Sequence, residues 1–298
     1  MVKIISIVGI TSSGKSGLAL ELAKFFDGEI VSADSRQIYR KMNYCTGKET
    51  VEELASVPHH LIDIIDTNEL FNLADYQKRA YAAIDDIVKR NKLPILCGGT
   101  GLYVRSVVEG YDLSSAGIKE EKRNELLNLS RDKLLEILAG HGITNIDKQK
   151  SSRHLVRMIE KAEVGDTQEK PNKPKYDVLQ IAIKWTRQEI YDRIEKRLDQ
   201  RLPHIVEEVK NLLSGGTTRE FMHRMGLEAK MATQYLDGEF ESYDKFREEL
   251  LKEERHFAKR QDTWFKRDNN TIWLDGNSDY FAQAKQLIKN FLENKNEN

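Results

Sequence analysis

Cysteine is nearly absent: two residues in 298, Cys45 and Cys97, and neither sits in a Cys-x-x-Cys pair. That excludes a disulfide framework and argues against a zinc site, and it fits a reducing cytosol. Long apolar runs are also missing. No stretch approaches the roughly 20 residues of a membrane span. The opening "IISIVGI" is too short for a signal core and runs straight into a glycine loop. An excess of either charge is lacking too. Lys and Arg total 47 against 48 Asp and Glu, a net charge of −1. A globally basic nucleic-acid binder is therefore not indicated, although a local basic patch remains open. The expectation is a cytoplasmic, monomeric protein that does not enter membranes.

What is present is an alternation of buried strands and amphipathic helices. "VKIISIV" (2–8) is a run buried on both faces, followed by a helix with Leu18, Leu22 and Phe25 in register. "GEIVSAD" (28–34), "HHLIDIID" (59–66) and "LPILCGG" (93–99) read as further strands, with a helix over 73–92 between the last two. Strand–helix alternation with glycine turns after the strands gives an α/β fold with a parallel sheet. The texture changes near residue 112, where charged helical segments run to about Lys175 and end in the proline-bearing "GDTQEKPNKPKYD". "VLQIAIKW" then resumes a buried strand, and "NTIWLDG" forms a last one. The organisation expected is a core over 1–112, a helical insertion over 113–176, and the rest of the core with C-terminal helices over 177–298. The polar end "ENKNEN" reads as frayed.

"GITSSGKS" (9–16) has the G-x-x-x-x-G-K-[ST] spacing of a P-loop, after a strand and before a helix. Gly9 and Gly14 let backbone N–H groups turn inward around phosphate oxygens. Lys15 adds a point charge, the Ser16 hydroxyl can ligate Mg²⁺, and the helix start adds partial positive charge. The competing reading is a tight turn with a surface lysine. The loop says polyphosphate without saying which reaction. In "SADSRQIY", Asp34 ends a strand where open α/β sheets face their ligand crevice. It suits a general base, and equally an N-cap or Asx turn. Ser35, Arg36 and Gln37 follow with a hydroxyl, a cation and an amide. In "GGTGLY" (98–103), Thr100 either caps the next helix or points its hydroxyl into the same crevice.

Taken in order, "GITSSGKS", "SADSRQIYRKM", "PHHLIDIID", "PILCGGTGLYV" and "FAKRQDTWFKR" closely resemble the isopentenyl-diphosphate:tRNA transferase family over nearly the whole chain. The resemblance implies a P-loop NTPase-like parallel-sheet core with a helical insertion domain that clasps the anticodon stem-loop. It implies transfer of a dimethylallyl group from dimethylallyl diphosphate to N6 of the adenosine just 3′ of the anticodon, with Mg²⁺ assisting and diphosphate leaving. Asp34 then looks like the base, Thr100 like the threonine near the acceptor amine and the diphosphate, and Lys15 like the catalytic cation. Gly9, Ile10, Thr11, Ser12, Ser13, Gly14, Lys15 and Ser16 would hold the diphosphate. The acceptor base would be flipped out, met by Asp34, Ser35, Arg36, Gln37 and Thr100. Lys259, Arg260, Gln261 and Trp264 resemble an RNA-contacting segment, as cations among aromatics suit single-stranded loops. Arg153, His154 and Arg157 match positions that touch the stem-loop, as does Arg123 within one residue, Lys122 being its substitute. Each of these also reads as a solvated helix face. The chain departs from the family pattern at Ile10 (usually proline), at Leu227 and Glu228 (usually an aromatic, then a basic residue) and at "NIDKQKSS".

Three other functions fit parts of the pattern. A small-molecule kinase shares the loop but leaves "SADSRQIY" and "KRQDTWF" unexplained. A prenyltransferase acting on free adenine nucleotides needs no insertion. A nucleotide-switched RNA-binding module needs no base at Asp34.

Overall fold

A computed structural model describes residues 1–113, 120–148, 150–163 and 172–294. Most of the expected linker (165–171) and the last residues of the tail (295–298) lie outside them. In order the elements are β1 (Val2–Val8), α1 (Lys15–Phe26), β2 (Gly28–Ser32), α2 (Val51–Ser56), β3 (His59–His60), α3 (Leu73–Lys89), β4 (Leu93–Gly98), α4 (Gly101–Val108), α5 (Glu120–Leu127), α6 (Arg131–Gly140), α7 (Ser152–Glu163), β5 (Tyr176–Lys184), α8 (Arg187–Ser214), α9 (Arg219–Met225), α10 (Leu227–Leu236), α11 (Tyr243–Phe265), β6 (Ile272–Asp275) and α12 (Tyr280–Glu293). Two compact units result: Met1–Gly110 with Pro174–Asn298, and Tyr111–Lys173. The sequence reading ends the insertion at 176. The structure ends it at Lys173, because Tyr176 already pairs with Val2 in the sheet.

The first unit is built on a six-stranded, all-parallel sheet of order β3-β2-β4-β1-β5-β6. Alternation along β1 explains its two-sided burial. Ile5 and Ile7 face α1 and α12, whereas Ile4 and Val8 face α3 and α4. These four side chains are fully buried, each contributing about 1.5–3 kcal/mol of hydrophobic stabilisation. The strand expected over 59–66 shrinks to His59–His60 and an isolated bridge between Tyr39 and Ile65. Leu61 and Asp63 adopt φ of 65° and 55°, left-handed backbone that cannot continue a strand.

A second apolar cluster gathers α8, α9, α10 and α11 around Leu198, Leu202, Phe221, Met222 and Phe246. Helix α8 starts on a capping box, Thr186 with Glu189, and buries Ile190, Ile194, Leu198, Leu202, Ile205 and Val209 along one stripe. Arg193, Arg197 and Arg201, each one residue before a stripe position, form a parallel row of cations.

Among the described residues, the insertion unit is three helices, α5 to α7, packed around Leu126, Leu134, Leu138, Leu155, Val156 and Ile159. Among the described residues, no helix is long and apolar enough to cross a membrane.

Candidate active site

The loops after β1, β2 and β4 meet at the carboxyl edge of the sheet, where β1 lies between β4 and β5 and the chain's winding reverses. Such a switch point is where open parallel sheets hold ligands. The loop from Gly9 to Ser16 is held from outside by its carbonyls. Trp185 Nε1 donates to Ser13 O (2.8 Å), Arg193 Nε donates to Ser12 O (2.7 Å), and Lys15 Nζ donates to Ile10 O (3.2 Å). The backbone N–H groups of Gly14, Lys15 and Ser16 meet no backbone acceptor among the described residues. They sit at the start of α1, where donors are unpaired and the dipole favours an anion. Gly14 has φ 93°, a conformation glycine supplies without strain. Ile10 is fixed by its side chain, which packs into the helical cluster with Ile38 and Met42. Burial pulls the Lys15 amine below its ordinary value, while the Cys97 and Asp34 charges act the other way.

A cavity of about 380 Å³ opens in front of this loop, lined by Ser12, Gly14, Lys15 and Ser16 and, from α8, by Arg193, Lys196, Arg197 and Gln200. Arg197 Nη1 donates to Thr11 Oγ1 (3.2 Å) and Nη2 to Gly47 O (3.1 Å). The α8 cations belong to the site, and sequence reasoning missed them. Their signal was the four-residue spacing of Arg193 and Arg197, which a solvated helix face shows as well.

Asp34 leaves the end of β2 with Oδ1 accepting the Arg36 backbone N–H (2.8 Å). The Asx turn is therefore real, and it orients the carboxylate. No other hydrogen bond engages Asp34 among the described residues. Thr100 does not cap α4 with its side chain. Its Oγ1 accepts the Ser35 backbone N–H (3.0 Å) and donates to Ser35 Oγ (3.3 Å), while Thr100 N–H reaches Ala33 O (3.1 Å). These bonds tie the Asp34 loop to the Gly99 turn. Gln37 is buried, with Oε1 on the Ser32 hydroxyl (3.2 Å) and Nε2 on Gly47 O (3.3 Å). Both ends of an amide expected to read a base edge thus serve the protein. Arg36 reaches Gly226 O at 3.5 Å, in the turn where Leu227 and Glu228 follow.

Gln261 is also placed differently from its expected RNA face. It is 8% exposed; its Oε1 accepts Thr11 N–H (2.8 Å) and its Nε2 donates to Gly99 O (2.9 Å). It clips two strand-end loops together. Trp264, one turn later on α11, covers Gly101 so closely that a Cβ there would stand 2.0 Å from Nε1, which is why glycine opens α4. Lys259 and Arg260 point outward, exposed, with no ion pair among the described residues.

In the insertion unit, Arg123 and Arg157 both grip the buried Glu160, at 2.5 and 2.9 Å from Arg123 and 2.9 Å from Arg157 Nη1. Burial pushes the Glu160 carboxyl up, but the two guanidinium groups outweigh it and hold it below its ordinary value. Lys122 pairs with Glu163 (2.7 Å). Arg153 and His154 are exposed, with His154 Nδ1 3.0 Å from the Ser151 hydroxyl.

A family model described as IPP transferase matches residues 37–268. A protein of Exiguobacterium sp. named tRNA dimethylallyltransferase is 39% identical, covering 97% of this chain and 96% of its own. One of Caldanaerobacter subterraneus subsp. tengcongensis with the same name is 38% identical, with 98% and 97% covered. The crystal structure of full-length tRNA isopentenylpyrophosphate transferase from Bacillus halodurans superposes with a TM-score of 0.74 at 34% identity, covering 98% of this chain and 96% of that one. A eukaryotic dimethylallyltransferase solved acting on tRNA shares the fold, with a TM-score of 0.82 at 23% identity over 99% and 80% of the two chains.

Proposed function

The chain belongs to the IPP transferase family, and from that premise we propose that it is an enzyme transferring a dimethylallyl group from dimethylallyl diphosphate to tRNA, at N6 of the adenosine 3′ of the anticodon. The observation that carries the chemistry is the convergence of a phosphate loop, a carboxylate and a bridging threonine at one sheet edge. Adenine's amino lone pair is delocalised into the ring, so the amine attacks carbon poorly until a base takes its proton. Asp34, held by the Arg36 N–H with its other oxygen unengaged, is that base. As the N–C bond forms, the allylic C–O bond breaks, the proton passes to Asp34, and the electron pair leaves on diphosphate. Lys15, the N–H groups of Gly14 to Ser16 and the α8 arginines meet the charge that grows there. The Thr100 hydroxyl fixes the separation of the Asp34 loop and the phosphate side.

Mg²⁺ fits this site by its donor set. Among the described residues, no cluster of three or more His, Cys, Asp or Glu forms a cage. Mg²⁺ needs none, because it keeps waters and takes phosphate oxygens with one or two protein ligands. Ser16 lines the cavity and would be such a ligand. The ion would supply charge neutralisation on the leaving group.

Lys259 and Arg260, exposed on the first unit, and Arg153 and His154, exposed on the insertion unit, each offer contacts for the tRNA. The prenyl transfer is tested with unmodified tRNA and dimethylallyl diphosphate, followed by nucleoside mass analysis. An adenosine heavier by one five-carbon allylic group is expected; consumption of ATP with a metabolite and no prenyl transfer would favour the kinase instead. Asp34→Ala should slow the single-turnover step by roughly two to four orders of magnitude, the range of a general base, with tRNA affinity retained. A near-normal rate removes Asp34 from the mechanism.

A further inference from the structure

Behind the phosphate loop lies a buried group of charges that the transfer chemistry does not use directly. Arg201 sends Nε to Tyr44 O (3.0 Å) and Nη2 to Glu228 Oε1 (3.4 Å). Arg201 and Glu228 are only 11% and 12% exposed. Glu254, on α11, is 3% exposed. The charged groups facing it are Glu228 from α10 and Arg201 and Arg197 from α8. Glu49, ahead of α2, faces Arg197 and Lys15. Glu254 Oε1 is buried without any hydrogen-bond partner, as is Arg201 Nη1. An ionised carboxylate oxygen left this way is costly, whereas a protonated one beside a second carboxylate has an acceptor ready.

We infer that Glu254 is a positioning residue for the diphosphate: it holds a proton that it shares with Glu228, and in that form the carboxyl pair balances Arg201 and leaves Arg197 to face the phosphate cavity. The inference rests on the reading of the cavity as a diphosphate site. Arg201 then stands against one ionised carboxylate, Glu228, and that pair is neutral. Losing the Glu254 proton leaves one net negative charge behind Arg197, next to the place where a polyanion must land. Burial first, and then the Glu228 charge, push the Glu254 carboxyl up to about 8, against Arg201 and Arg197. The sign follows: below that pH the proton is on and the anion is welcome; above it the proton leaves and affinity falls. Bound diphosphate, by linkage, tightens the hold on the proton.

The test is binding of inorganic diphosphate by calorimetry from pH 6.5 to 9.5, with prenyl transfer to tRNA measured on the same preparations. Wild-type affinity should fall by roughly tenfold across the pH unit or so above the break, as for any proton coupled to a ligand. In Glu254→Gln the amide mimics the protonated acid, and that fall disappears. The same variant reports the ligand's own ionisation, which is subtracted. Glu254→Ala, unable to donate to Glu228, binds more weakly already at pH 7. Glu228→Gln removes the neighbouring charge and moves the break to lower pH, a second readout that stands even where a Glu254 variant folds poorly. Superimposed profiles for wild type and Glu254→Gln, with transfer intact, overturn this inference alone. Failure to bind diphosphate at any pH, with no transfer, overturns the site reading beneath it and the inference together.

Discussion

Replacing Gln261 by alanine separates two roles for the segment that carries it. The side chain makes two hydrogen bonds, to Thr11 N–H and Gly99 O, from a site 8% exposed to solvent. Truncation strands a donor and an acceptor where water enters poorly. Each orphaned group costs about 1–3 kcal/mol, and together, allowing for partial hydration, roughly 2–4 kcal/mol. At about 2–4 °C per kcal/mol for a chain of this order of size, melting should drop by roughly 4–16 °C. The two loops it joins bear the phosphate-binding backbone and Thr100, so the KM for the diphosphate donor should rise as well. No phosphate-neutralising charge is removed, so tRNA affinity should change by less than roughly threefold. Scanning calorimetry and filter binding of tRNA, run on the same protein, decide it. An unchanged melting temperature with a tenfold loss of tRNA affinity would refute the clip and return Gln261 to the RNA surface. Gln261→Glu sharpens the result: it keeps an acceptor for Thr11 N–H but sets a carboxylate against Gly99 O, and should melt nearly as early as alanine.

Charge removal at Lys259 and Arg260 together should weaken tRNA binding and lower the slope of log affinity against log salt by roughly 1.5, given about 0.7–0.9 per phosphate contact; an unchanged slope excludes them from the interface. Gly101→Ala puts a methyl group into the Trp264 ring, and overpacking of this kind costs about 1–3 kcal/mol, readable as a lower urea midpoint. Glu29 is held at about 2, first by its hydrogen bonds to Arg90, against burial, and also by His60. Its folded value lies below its unfolded one, so its stabilisation is present above about pH 4.5 and drains away as pH falls toward 2. Wild type should therefore lose more melting temperature than Glu29→Gln between pH 5 and pH 3; parallel curves would contradict this.

What the sequence made legible was whatever depends on local chemistry. β1, the glycine loop and α1 follow from an apolar run, a fixed spacing and a helical period, and Asp34 follows from being the first acid past a buried strand. What stayed hidden depends on which way a side chain turns once distant segments meet. Arg193 and Arg197 look like any solvated i, i+4 pair until α8 lies across the loop. Gln261 sits between exposed Arg260 and half-buried Asp262, and only the helix phase set by Ala258 and Phe265 turns it inward. Thr100 carries the residue type of an N-cap, but β2 and β4 stand close enough for its hydroxyl to reach Ser35 instead. The third strand stops at His60 because Leu61 and Asp63 adopt left-handed backbone, which the apolar pattern of the stretch does not announce.

The position of β5 in the sheet has a consequence for the chain as it is made. β1, a central strand, pairs with β4 on one side and β5 on the other, and β5 is translated roughly 70 residues after α4. At about 5–20 residues per second, a nascent chain displays one bare hydrogen-bonding edge of β1 for roughly 4–15 s while the three-helix unit is synthesised. That edge is apolar on both faces and belongs in the middle of a sheet, so a ribosome-bound intermediate of this enzyme is sticky by construction, and the final docking of Tyr176–Lys184 is the event that ends its exposure.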